Sequence, residues 1–89
     1  MSVEDGVERV CRSCGLDVGE VRYDGHGLSQ FAICKCCGCE SGVEDCTLAG
    51  VRRHRGSWVG DGAPWFELKA RPAEWDLSRQ LSNIPPEWR

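Results

Sequence analysis

An 89-residue chain has room for one domain and one small core, and chains of this size commonly need a metal, disulfides or a partner to hold them together. Seven cysteines point to the metal, since an odd number leaves a thiol over in any disulfide framework. The formal net charge of −3, lowered to about −5 by four thiolates around a divalent ion, argues against a general nucleic-acid binder, and no run approaches the ~18 apolar residues a membrane span requires.

The chain opens on Met1-Ser2-Val3-Glu4-Asp5-Gly6, which is acidic and has no apolar stretch behind it, unlike a signal peptide. The expected compartment is a reducing cytoplasm, where paired thiols bind metal more often than they form disulfides. Residues 1–8 read as a frayed terminus, 9–46 as a zinc-ribbon-like part and 47–89 as a helical, Trp-rich part of the same domain. The pattern predicts a small α+β fold, in which a β-hairpin with two CxxCG knuckles precedes one longer and one short helix. Residues 16–23 alternate imperfectly, Asp24-Gly25-His26-Gly27 is a turn signal, and residues 28–33 are the returning strand.

The first knuckle is Cys11-Arg12-Ser13-Cys14-Gly15. Nineteen residues separate Cys14 from the second, Cys34-Lys35-Cys36-Cys37-Gly38. A C-x2-C turn offers two sulfurs from one tight loop, and a glycine after the second sulfur lets the chain leave with positive φ. Two such turns supply the four soft ligands of one tetrahedral, structural Zn2+: Cys11, Cys14, Cys34 and Cys37. Cys36 and Cys39 form an overlapping, less favoured pair, because Glu40 and not glycine follows Cys39. Cys36, Cys39 and Cys46 otherwise read as small, mostly buried hydrophobes, with a second site involving His26 or His54 as the lesser alternative.

Beyond the knuckles, Leu48, Val51, Arg55, Trp58 and Val59 recur at helical spacing over residues 47–60. Thr47 is the candidate N-cap, and Gly60 or Gly62 the stop. Gly50 and Gly56 weaken this helix, so it needs tertiary packing. A second helix is expected at residues 77–83, with Asp76 as N-cap, Leu77, Leu81 and Ile84 as its apolar stripe, and Pro85-Pro86 as its end.

The order of these motifs resembles a set of small bacterial cysteine-rich, CPCC-type proteins. They carry a C-P-x-C-G knuckle, an I-C-P-C-C-G motif, a helix, a G-A-x-W-F segment and a closing P-x-x-W-x-x-x-x-Q-L. The matching residues are Cys11 to Gly15, Ile33 to Gly38, Trp58 to Phe66, and Pro72-Ala73-Glu74-Trp75 followed by Gln80-Leu81, so that the resemblance covers residues 10–84. Arg12 and Lys35 stand where that family has proline, and Cys39 where it has an aromatic residue. The resemblance implies a zinc-ribbon-like fold and, because such proteins are encoded singly or near polymorphic toxin genes, where small proteins often serve as immunity factors, an immunity role.

Four cysteines would close the metal site, and neither histidine sits beside a nucleophile and an orienting acid, so an enzyme is the poorest fit. The expected function is a non-enzymatic protein-interaction module, an immunity protein or antitoxin in its sharpest form. Four tryptophans and Phe66 crowd residues 58–88. Of these, Trp58, Trp65, Phe66 and Trp75 are expected to cap the zinc core, and Trp88 to be free for a partner. Glu44 and Asp45 are the candidate acidic rim toward a basic toxin domain. The alternative is a zinc-ribbon nucleic-acid binder or transcription-associated regulator using Arg52, Arg53 and Arg55.

Overall fold

A computed structural model describes residues 6–89; residues 1–5 of the expected frayed terminus lie outside the described residues. Residue 8 of that terminus is tied down, because Glu8 forms an antiparallel bridge with Tyr23.

The two knuckles repeat one hydrogen-bonding scheme twenty-three residues apart. In the first, Gly15 N donates to Cys11 O and Cys11 N to Leu16 O, each at 2.9 Å, and a bridge joins Val10 to Asp17. In the second, Gly38 N donates to Cys34 O and Cys34 N to Cys39 O, each at 2.9 Å, and a bridge joins Ile33 to Glu40. Gly15 and Gly38 leave these turns at φ 86° and 76°, the region that a side chain disfavours.

The continuous hairpin expected between the knuckles is absent among the described residues, where antiparallel pairing is limited to four isolated bridges. Its turn is present. Asp24 Oδ1 accepts from His26 N and Leu28 N, and Tyr23 bridges to Ser29. The flanks do not extend, for local reasons. Asp17 Oδ1 captures Gly19 N, where the chain turns at φ 83°, and Phe31 adopts φ 52° with its N–H donated to Ser29 Oγ. Side chains that bond the backbone locally compete with a ladder for the same groups.

The helical half follows its sequence signals closely. Helix α1 (Leu48–Gly60) starts at Thr47, whose side chain accepts from Gly50 N. It closes on Gly62 at φ 96°, with Gly62 N bonded to Val59 O and Ala63 N to Trp58 O, the two bonds of a Schellman motif. Gly50 fits a close approach, since a Cβ there would meet Glu44 O at 2.5 Å. Val51 and Trp58 form the buried face, whereas Val59 is exposed. Helix α2 (Leu77–Leu81) is shorter than expected; Asp76 caps it by accepting from Arg79 N, and the chain leaves through turn-like bonds to Gln80 O and Leu81 O. Single 3-10 turns occupy Leu68–Ala70 and Pro86–Trp88.

The core is built on sulfur and indole. Six cysteines, Trp58, Ala63 and Trp65 form one buried cluster, flanked by Leu16, Trp75, Leu77 and Leu81. Among the described residues, no helix is long and apolar enough to cross a membrane.

Candidate metal centre

Cys11, Cys14, Cys34 and Cys37 are buried, and their sulfurs all lie within 4.8 Å of one another. Across the knuckles, Cys11 Sγ is 3.6 Å from Cys37 Sγ, and Cys14 Sγ is 3.5 Å from Cys34 Sγ. Zinc–sulfur bonds of ~2.3 Å give a tetrahedron with edges of about 3.8 Å, so the two cross-knuckle pairs need to open only slightly around an ion. Four buried cysteines are thus positioned to hold a metal ion.

The protonation pattern suits the same role. Hydrogen bonds from Cys14, then from Cys34 and Cys37, hold the Cys11 thiol well below its ordinary range. Contact with Cys11 pushes the Cys14, Cys34 and Cys37 thiols up. A divalent cation would let all four thiols ionise.

Three arginines surround this sulfur. Arg22 is buried, donates to Cys39 O at 2.9 Å and lies 3.8 Å from Asp45 Oδ2. Burial pulls its guanidinium down, but the field of Cys11, Cys34, Cys39 and Asp45 outweighs this and keeps it charged. Arg12 is sandwiched between the rings of Tyr23 and Trp88, 3.8 and 3.9 Å from their centroids, and forms a two-pronged pair with Glu8. Arg55 extends from α1 to Ser13 O at 2.7 Å, Arg12 O at 3.0 Å and Trp88 O at 2.6 Å, tying the first knuckle to the end of the chain. Such outer contacts orient ligand loops and offset the charge of a tetrathiolate ion.

Several expected roles change with this placement. Trp88 is half-buried against Arg12 and is not a free anchor. Asp45 is 0% exposed and cannot form a rim: its Oδ1 accepts from Tyr23 Oη at 2.5 Å and from Gly42 N at 2.8 Å. Glu44 is half-buried and accepts from Glu40 N. Phe66 rests one edge on Gly38 but stays 65% exposed, so it does not cap the core as Trp58 and Trp65 do. Of the basic run, Arg52 and Arg53 are exposed, with Arg52 donating to Arg89 O, while Arg55 is committed to the knuckle.

Of the remaining cysteines, Cys46 is exposed, contrary to its reading as a buried hydrophobe, while Cys36 and Cys39 are fully buried. Cys36 lies beside Cys14, and Cys39 beside Cys11 and Cys37; the contact with Cys11 pushes the Cys39 thiol up to about 12. His54 hydrogen-bonds Cys37 O at 2.9 Å and His26 lies in the exposed turn, so the histidines do not assemble a second site.

Gln80 is the structural residue that sequence reasoning passed over. Its Oε1 accepts from Trp75 Nε1 at 2.7 Å, and its Nε2 donates to Cys14 O and Cys36 Sγ. The Trp75…Gln80-Leu81 spacing was the available signal: it links the closing motif to the first knuckle. Comparison with protein-family models, with curated proteins and with solved structures returns no match.

Proposed function

We propose that this chain is a non-enzymatic zinc protein of zinc-ribbon type, with one structural Zn2+ held by Cys11, Cys14, Cys34 and Cys37, and that it acts as a protein-interaction module. The observation that carries the reading is the buried four-sulfur cluster presented by two matching knuckles. Four thiolates select a soft or borderline ion in a tetrahedron and leave no open position for water or substrate, which supports scaffolding over catalysis. Free, clustered thiols fit a reducing cytoplasm.

An interaction surface is supported by exposed side chains that a monomer gains little by displaying. Phe31 and Phe66 are 61% and 65% exposed, and Phe31 holds a backbone conformation unusual for any residue but glycine. These rings take over the anchoring role expected of Trp88. Neutralising a basic toxin domain is the sharpest form of this function, motivated by the acidic charge and by the family resemblance. The nucleic-acid reading retains Arg52 and Arg53 but loses Arg55 to the knuckle.

Two measurements test the proposal. Native mass spectrometry with elemental analysis, on protein purified without chelator, should find about one zinc per chain. Iron in its place would change the metal, and no ion at all would remove the reading. Crosslinked co-purification from the native cell should recover a stoichiometric protein partner that Phe31→Ala and Phe66→Ala weaken. Recovery of RNA or DNA alone, lost on Arg52→Ala with Arg53→Ala, would favour the nucleic-acid binder.

A further inference from the structure

The four clustered sulfurs include two close pairs, and each pair spans the two knuckles. Cys11 Sγ lies 3.6 Å from Cys37 Sγ and Cys14 Sγ lies 3.5 Å from Cys34 Sγ, so each pair is about 1.5 Å longer than the ~2.05 Å of a disulfide bond. The pairs are nested, Cys14 to Cys34 inside Cys11 to Cys37, and bridges closed in this way tie the same two turns that an ion ties. Their partners are 26 and 20 positions apart in the chain, so both bridges restrict long loops of the unfolded protein. A bridge inside one C-x2-C turn restricts little and leaves the two halves untied. Access also differs among the four. Cys37 is 7% exposed and the other three at most 1%, so an oxidant arriving from solvent meets Cys37 first.

We propose that the centre is a redox switch, in which a small hydroperoxide converts the four sulfurs to the disulfides Cys11–Cys37 and Cys14–Cys34, releasing the ion while the knuckles stay tied. This rests on the metal reading above and goes beyond it, to what holds the site together once the ion has left. Cys37 Sγ attacks one peroxide oxygen, the O–O bond breaks, and hydroxide leaves to be protonated to water; Cys37 then carries a sulfenic acid. Cys11 Sγ attacks Cys37 Sγ, closing the S–S bond and expelling the second oxygen as hydroxide, which is again protonated to water. With two of the four ligands consumed the ion is lost, and a second peroxide closes Cys14–Cys34 by the same two steps. Four thiolates give up four electrons, two peroxides accept them, and four protons from solvent complete four waters. A thiol reductant reverses both bridges, the transient behaviour that a reducing compartment permits.

The test uses zinc-loaded Cys46→Ser protein, which lacks the exposed thiol; wild type alkylated at Cys46 while loaded takes its place if that variant does not fold. Hydrogen peroxide is added in steps, and released zinc, free thiols and disulfide linkages are read together. Trypsin resolves the linkages, because cleavage at Arg9, Arg12, Arg22, Lys35 and Arg52 puts Cys11, Cys14, Cys34 and Cys37 on four different peptides. The bound zinc should be released, and thiols counted in denaturant should fall from six to two, Cys36 and Cys39 remaining. Cys11–Cys37 should appear first and Cys14–Cys34 second. The oxidised, metal-free chain should keep the native circular dichroism and unfold at a higher denaturant concentration than the reduced, metal-free chain. Linkages within one knuckle, linkages through Cys36 or Cys39, or an oxidised chain as unfolded as the reduced metal-free one each overturn the inference. A chain that takes up no zinc overturns the metal reading as well, whereas other linkages in a chain that has released its zinc overturn this inference alone.

Discussion

The two knuckles share a backbone and differ in almost everything packed on it. Residues 11–15 are all buried: Arg12 lies between two rings, Arg55 holds the carbonyls of Arg12 and Ser13, and Gln80 holds that of Cys14. The second knuckle exposes Lys35 and is held mostly at its backbone. Phe66 N and Glu67 N donate to Cys36 O and Lys35 O, His54 bonds Cys37 O, and Arg22 donates to Cys39 O just beyond it, while Gln80 reaches Cys36 Sγ. A repeated local geometry therefore fixes where sulfurs point, while tertiary contacts set how each half is held. The first knuckle, buried at every residue, is the anchor.

The largest effect expected from this asymmetry is at Cys11. On the proposed zinc reading, Cys11→Ser removes one of the four clustered sulfurs, so metal and cooperative folding should be lost together, as they should on chelation of the wild type. Metal should also be released as the pH falls, because protons compete for the sulfurs. Circular dichroism with metal analysis checks both. A Cys11→Ser protein that keeps one ion and a sharp unfolding transition would show that the first knuckle is not the anchor.

Next in size is a matched pair of glycine substitutions. A Cβ at Gly15 would lie 2.1 Å from Gln80 O, a backbone atom, whereas a Cβ at Gly38 would meet the exposed Phe66 ring at 3.1 Å. Both sites carry the left-handed penalty of about 1–2 kcal/mol, but only Gly15→Ala must also displace a packed helix, adding roughly 1–3 kcal/mol. Chemical denaturation of the metal-loaded proteins should therefore rank Gly15→Ala as the more damaging by at least ~1 kcal/mol. Equal losses would erase the distinction between the two supports.

These contrasts also divide what the sequence could disclose. Local codes were legible: the four cysteines that come together from their spacing, Thr47 and Asp76 as caps, and Gly62, one of two candidates, as a stop. Each of these depends on groups within a few residues of one another. The misplacements of Asp45 and Trp88 share a different cause. An aspartate is ordinarily a surface charge, and beyond the local bond from Gly42 N it is the approach of Tyr23 and Arg22 from more than twenty residues away that makes its burial tolerable. Trp88 near the chain end reads as free until Arg12, opposite in the chain, lies across its ring. The missing hairpin has a third cause: Phe31 carries no sequence mark of its left-handed backbone.

Arg12 and Lys35 occupy the same position in the two knuckles and give the next test. Arg12→Ala removes two ring contacts and the pair with Glu8, and leaves Asp45 O without its guanidinium donor. Because Glu8 can rehydrate, the expected loss is about 2–3 kcal/mol, below that of breaking a fully buried pair. Lys35→Ala, at an exposed site, should stay within about 0.5 kcal/mol. Denaturant midpoints at constant m measure both.

The smallest effect approaches the anchor from the alkaline side. Tyr23, the chain's one tyrosine, braces Arg12 from below and donates to Asp45, so its absorbance reports this site without interference. Burial, and then the hydrogen bond to the Asp45 carboxylate, push its ionisation above the ordinary range. With the folded value above the unfolded ~10, the phenol's contribution to stability is complete below pH ~10 and is lost as the pH rises through the folded value. Tyrosinate absorbance in the metal-loaded protein should therefore lag free tyrosine on alkaline titration and rise together with loss of the native circular dichroism. Asp45→Asn takes away the negative charge that opposes ionisation and should bring the onset down, while leaving one metal ion bound at neutral pH. Titration of Tyr23 at the free-tyrosine value in folded protein would mean that the ring is open to solvent, and the anchored knuckle would then have no brace beneath it.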